Sequence, residues 1–238
     1  MAKKNEEQLE VRTPAYLTKH SNVTAILQAM AENLEGEKLT RFDFPRITIP
    51  TGGGDYMTIP NPDGAEPAKQ VSGVIIYTHM ARSYWKDSGD DVGNGPPDCS
   101  ADNAKVGIGD PGGICDVCPN AAFKTGKGGR GQACKLMRNI YLLVGQNMMP
   151  YMVQVPPTSL KEAKKYLWNL SVQDMRYFNI ETTLGVLGGQ KNKSNQPFST
   201  WTFARGRELE AEERQKVQAY AFEFREALGV EAAAPVQA

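Results

Sequence analysis

The chain has 238 residues, of which 40% are hydrophobic, 23% charged and 8% aromatic, proportions that exclude collagen-like, mucin-like and wholly disordered polypeptides. Its 27 Lys and Arg balance 27 Asp and Glu, so any attraction to nucleic acid or an anionic membrane must come from local clustering of charge, and a histone-like polycation is excluded. The polar start, Met1 to Arg12, carries no apolar leader core and no run of about 18 apolar residues occurs, which predicts a cytoplasmic chain that neither spans a membrane nor is exported by the standard route.

In chain order, residues 1–20 read as a flexible segment, followed by a helix over Ser21–Glu35. Val23, Ile26, Leu27, Met30 and Leu34 share its stripe, and Gly36 ends it. Arg46–Pro50 and Tyr56–Ile59 flank Thr51-Gly-Gly-Gly-Asp55, a hairpin signature. Val71–Ala81 is rich in β-branched and aromatic residues and predicts a long strand running on toward Tyr84 and Trp85.

The next stretch differs from the rest. Eleven of the 23 glycines fall between Gly89 and Gly131, with Pro96, Pro97, Pro111 and Pro119 and all four cysteines in or beside it. Such a segment supports neither a long helix nor a regular strand. It reads as a cross-linked insertion over about 86–138 in a single domain spanning 21–229.

After the last cysteine, Asn139–Val144 and Tyr151–Val155 form a strand pair around Gly145-Gln-Asn147. Ser159, with Glu162 three residues on, predicts a capping box, and Leu160, Ala163, Leu167 and Leu170 then lie on one helical face. Ile180–Leu187 and Phe198–Ala204 predict a further hairpin around the loop Gly188–Gln196. A helix over Glu208–Leu228 carries Val217, Tyr220, Ala221, Phe224 and Leu228, stops at Gly229, and leaves a frayed tail over 230–238. Six short strands without βαβ alternation predict a mainly β, α+β chain: an OB-like antiparallel barrel with a metal-bound insertion and a C-terminal helix.

The cysteines are spaced Cys99-x15-Cys115-x2-Cys118-x15-Cys134. A Cys-x2-Cys knuckle joined by two further thiols predicts a tetrahedral zinc site, and four thiolates leave no open position, so its role is structural. The same ligands suit an iron–sulfur cluster, an alternative echoed by Cys118-Pro119. His79 or His20 could replace a thiol, but a histidine on an apolar strand is more commonly packed, which favours the four-cysteine set. No catalytic pattern emerges. His79 is not followed by the deaminase glutamate, Gly107–Gly112 matches GxGxxG only inside a loop, and Gly126–Gly131 lacks the Lys-Ser/Thr ending of a phosphate loop. The chain is therefore expected not to be an enzyme.

From Pro119 to Asn139 the only charges are the basic Lys124, Lys127, Arg130, Lys135 and Arg138. Two readings stay open: contacts to a phosphate backbone, or cations offsetting a zinc tetrathiolate. Single strands also need rings on which bases stack, and Tyr84, Trp85 and Phe123 flank the polar insertion.

Pro96-Pro-Asp-Cys-Ser100, Gly112-Gly-Ile-Cys-Asp-Val-Cys-Pro119, Gly131-Gln-Ala-Cys-Lys135, Arg138-Asn-Ile-Tyr-Leu-Leu143 and Pro156-Pro-Thr-Ser-Leu160 together resemble a family of phage and mobile-element single-stranded DNA-binding proteins. The likeness runs from about Phe44 to Trp168. It implies sequence-independent single-strand binding in DNA replication or recombination, in a bacterial host's cytoplasm if phage-encoded, with other replication or recombination proteins as partners. The layout is also similar to phage helix-destabilising proteins that carry a zinc subdomain inside an OB barrel. This chain departs from them in having four cysteines rather than a mixed histidine and cysteine set, and a tail with Glu231 alone instead of an acidic run. The rival expectations are an adaptor whose zinc module docks another replication or recombination protein, and an iron–sulfur protein.

Overall fold

A computed structural model describes residues 23–35, 41–86, 96–145, 147–192 and 195–228. The expected flexible start over 1–20, the glycines Gly36 and Gly229, His20 and the tail over 230–238 lie outside the described residues. The chain is mainly β with a few helices: α1 (Val23–Asn33), α2 (Leu160–Val172) and α3 (Ala211–Ala227).

The organising element is the 15-residue strand β4 (Gln70–Tyr84). Along one edge it pairs antiparallel with β8 (Lys135–Leu143), around a bulge between Ile75 and Tyr77. Its other edge is shared. The first residues pair with β10 (Ile180–Lys191), and the last with β5 (Cys99–Ala101). Beyond β8 come β9 (Tyr151–Val155) and then β1 (Arg46–Ile47), while β5 leads on to β6 (Val106–Gly109) and β7 (Gly113–Ile114). The last strand, β11 (Pro197–Glu208), pairs with β10.

The barrel expected from the strand pattern does not close. The sheet is mixed, because β1 runs parallel to β9, and among the described residues no ladder joins β1 to β11. The physical reason lies in the loop Thr51–Asp55. Instead of closing a hairpin it crosses to the β10–β11 end, where Gly188 N–H donates to Asp55 Oδ1 at 3.0 Å, Gly189 N–H to Gly53 O at 2.8 Å and the Ser199 hydroxyl to Gly54 O at 2.8 Å. Single hydrogen bonds thus replace a closing ladder. The predicted hairpin shrinks to one bridge between Thr48 and Thr58, and β2 (Met57–Asn61) pairs with β3 (Gly64–Ala68) across Asn61-Pro-Asp-Gly64.

Alternation along β4 and β8 gives the sheet two buried faces. One carries Ile75, Ile140 and Leu142 against Tyr166 and Leu170 of α2 and against Trp201. The other carries Val74, Ile76, Tyr141 and Leu143 beneath Val217, Tyr220 and Phe224 of α3. Phe44, Tyr141 and Phe224 meet edge to face there, with centroids 5.2–5.5 Å apart, the preferred geometry for aromatic pairs. α2 uses the predicted face, but Ser159 makes no cap: its Oγ accepts the Trp201 N–H at 2.9 Å. The capping box belongs to α3, between Glu210 and Glu213, because β11 continues through Glu208 where a helix was expected to begin.

Candidate metal centre and nucleic-acid interface

Outside these cores the described residues of the insertion form only strands of two to four residues and three single 3₁₀ turns. The last residues of the expected insertion, Lys135–Arg138, lie on β8. The insertion's fixed points are the cysteines. Cys99 lies on β5 opposite Tyr84. Cys115 and Cys118 bracket a 3₁₀ turn in which the Cys118 N–H donates to Cys115 O at 3.2 Å, and the Cys134 N–H donates to Asn120 O at 2.8 Å. Cys99, Cys115 and Cys134 are buried and all four thiols are free.

The four cysteines line one cavity of about 10 Å³, room for a single water-sized body, together with Tyr84, Gly107 and Gly113. A Cβ on Gly107 would stand 2.8 Å from Cys99 Sγ, so only glycine lets the backbone approach that sulfur so closely. Among the described residues no three His, Cys, Asp or Glu side chains form a group that holds a metal ion as they stand. In donor type, however, the four residues would suit a four-thiolate centre, and they line one small space. Burial pushes the Cys115 and Cys134 thiols up, and Arg82 acts against it on both, hydrogen-bonding Cys134. The Nε and Nη1 of Arg82 are themselves buried without partners, a cation held beside sulfurs that would become thiolates. His79 is no ligand in this arrangement. It stacks on Tyr77 and Tyr141 at 5.1 and 6.0 Å and its Nδ1 meets Asp102 O, the packed role expected of it.

The basic and aromatic residues divide into separate places. Phe123, Lys124, Lys127 and Arg130 are exposed on the loop between Cys118 and Cys134, Phe123 by 79%. The loop is braced at its base, where the Thr125 hydroxyl donates to Ala122 O at 2.8 Å and accepts the Ala133 N–H at 3.0 Å. Tyr84 lines the cysteine cavity and Trp85, next to it, is half-buried. Lys135 and Arg138, expected to join the loop cations, sit on β8, where an odd spacing puts them on opposite faces of the sheet. Lys135 Nζ donates to Gln132 O at 2.7 Å. Arg138 turns toward Thr78 and lines a groove with Arg176, Tyr177 and Phe178. Sequence reasoning missed that trio, although a basic residue followed by two rings just past a helix is a readable signal.

The chain matches no family model, no curated protein and no solved structure. Among the described residues no helix is long and apolar enough to cross a membrane.

Proposed function

We propose that this is a non-enzymatic, sequence-independent single-stranded DNA-binding protein of phage or mobile-element replication or recombination, whose insertion is held by a structural zinc ion. The observation that carries the reading is the loop between Cys118 and Cys134, which presents Phe123, Lys124, Lys127 and Arg130 to solvent with no acidic residue among them. Cations track phosphates and a flat ring stacks a base, the combination that single-strand binders use. Zinc on Cys99, Cys115, Cys118 and Cys134 supplies a fold staple, and about two of the nearby positive charges offset its tetrathiolate, leaving the remainder for DNA. The fold reading that accompanies this is a partly open OB-like barrel. It is supported by β4, which bends at its bulge and serves two neighbours along one edge.

The test is fluorescence anisotropy of a labelled mixed-sequence single strand at low and moderate salt, with duplex of the same sequence alongside and metal content assayed on the same sample. Salt-sensitive binding that favours the single strand, by protein holding one zinc, is expected. Failure to bind at low salt overturns the reading, and visible absorption with bound iron would replace zinc by a cluster.

A second reading, an adaptor docking another replication or recombination protein, is favoured by one feature. Val106, Ile108, Ile114 and Val117 of the insertion are exposed by 53%, 80%, 62% and 78%, with Val106 and Ile114 paired across β6 and β7. Exposed apolar patches of this kind mark interaction surfaces. Capture of a defined partner after nuclease treatment, with no DNA binding, would select it.

A further inference from the structure

Between the C-terminal end of α2 and the β4–β8 sheet lies a groove of about 370 Å³ lined by Thr78, Arg138, Ser171, Arg176, Tyr177 and Phe178, within the range of about 300–1,000 Å³ common to small-molecule sites. No Asp or Glu lines it. Arg138 is half-buried and its Nη1 donates to Thr78 Oγ1 at 3.3 Å, while the Thr78 hydroxyl donates to Asn139 O at 2.9 Å and so keeps its lone pairs toward the guanidinium. The Arg176 guanidinium stands 5.9 Å from the Phe178 ring centre. Among the described residues neither arginine is in an ion pair with a carboxylate. A guanidinium fork set against apolar walls and left without an internal anion is a phosphate receptor, and the Tyr177 and Phe178 rings beside it suit a base.

The groove also lies in line with the cysteine centre. Thr78, Met80, Arg82 and Tyr84 alternate onto one face of β4, opposite Ile140, Arg138 and Leu136 of β8. That face leads from the groove to Tyr84 at the cysteine cavity over about 20 Å at roughly 3.3 Å per residue.

We infer that this groove holds one nucleotide of a bound single strand, its phosphate between Arg138 and Arg176 and its base against Tyr177 and Phe178. The inference rests on the single-strand reading and extends the strand's path from the insertion along the sheet. The experiment compares wild type, Arg138→Gln with Arg176→Gln, and Lys127→Glu with Arg130→Glu by anisotropy over a salt series, using one labelled mixed-sequence oligonucleotide. A 5-iodouracil version of that strand is photocrosslinked and mapped by mass spectrometry.

Expected are an affinity loss of about tenfold or more for the arginine pair, a fall of about 1 in the salt slope for the one phosphate the pair holds, and crosslinks at Tyr177 or Phe178. Arg138→Lys, which keeps the charge and loses the fork, should fall between wild type and Arg138→Gln. Should Arg138→Gln unfold by circular dichroism, the exposed Arg176→Gln alone decides, with a loss of affinity and a shallower salt slope. Unchanged affinity and slope beside a wild type that binds would overturn the groove and leave the insertion reading standing. A wild type that binds no single strand overturns both.

Discussion

Gly107 and Cys99 stand so close that a Cβ added to the glycine would lie 2.8 Å from the cysteine sulfur. The glycine is needed for space there, since Gly107 is absent from the residues with positive φ. Gly107→Val should therefore displace Cys99 Sγ from the cavity shared with Cys115, Cys118 and Cys134. The expected outcome is faster reaction of Cys99 with a thiol reagent, read by mass spectrometry, and metal given up at lower chelator concentration. A wild-type rate would mean that the sulfur is not held where the cavity requires it.

Metal removal should loosen one part of the molecule and spare the rest. Neither hydrophobic core includes any residue between Cys99 and Cys134, so the proposed metal cross-link would hold the insertion as it holds small core-less modules. With a chelator, trypsin should cut after Lys124, Lys127 and Arg130 much faster, while the thermal transition of the sheet and α3 moves little. Loss of the whole transition on chelation would show that the insertion and the sheet fold as one unit.

Much of the scaffold could be read from periodicity. β4, the apolar face of α2 and the α3 residues Val217, Tyr220 and Phe224 lie where the 2.0 and 3.6 repeats put them. What periodicity could not reach were long-range choices. The glycines of 51–55 look like a hairpin turn locally but are spent on Gly188, Gly189 and Ser199 far along the chain. In the site, the four cysteines were legible from spacing and line one cavity. The split of Lys135 from Arg138 was hidden because charged Lys135-Leu-Met-Arg138 does not look like strand, yet pairing with Met80–Ser83 of β4 makes it one.

Ser159 illustrates a hydroxyl whose value is tertiary. It is fully buried, and its Oγ is the acceptor for the backbone N–H of Trp201, itself 0% exposed. Ser159→Ala leaves that amide without an acceptor inside the core, which costs about 1–3 kcal/mol. Losing an ordinary helix cap would cost about 1 kcal/mol and would be recovered by Asp, a good cap. Urea denaturation of Ser159→Ala and Ser159→Asp separates the two roles: here Asp should be no better than Ala, because its charge cannot be buried beside Trp201. Rescue by Asp would restore the capping role.

The half-buried imidazole of His79 makes stability depend on pH. It stacks beside two rings, at 5.1 Å from Tyr77 and 6.0 Å from Tyr141. Burial lowers its pKa below the ordinary 6.5, and Arg41 lowers it further, while its hydrogen bonds to the Asp102 and Met80 carbonyls, and the charge of the Asp102 carboxylate, oppose them without prevailing. The unfolded chain therefore takes up the proton before the folded one does. The stability that the neutral ring contributes is complete above about pH 6.5 and is lost as pH falls through that value toward the depressed folded pKa. Unfolding free energies of wild type and His79→Gln, measured at about pH 7.5 and about pH 5, isolate this contribution from other acid effects, since those act on both proteins. Wild type should lose more stability on acidification than the variant does. An equal loss in both would mean that the ring is solvated enough to titrate alike in the folded and unfolded chains.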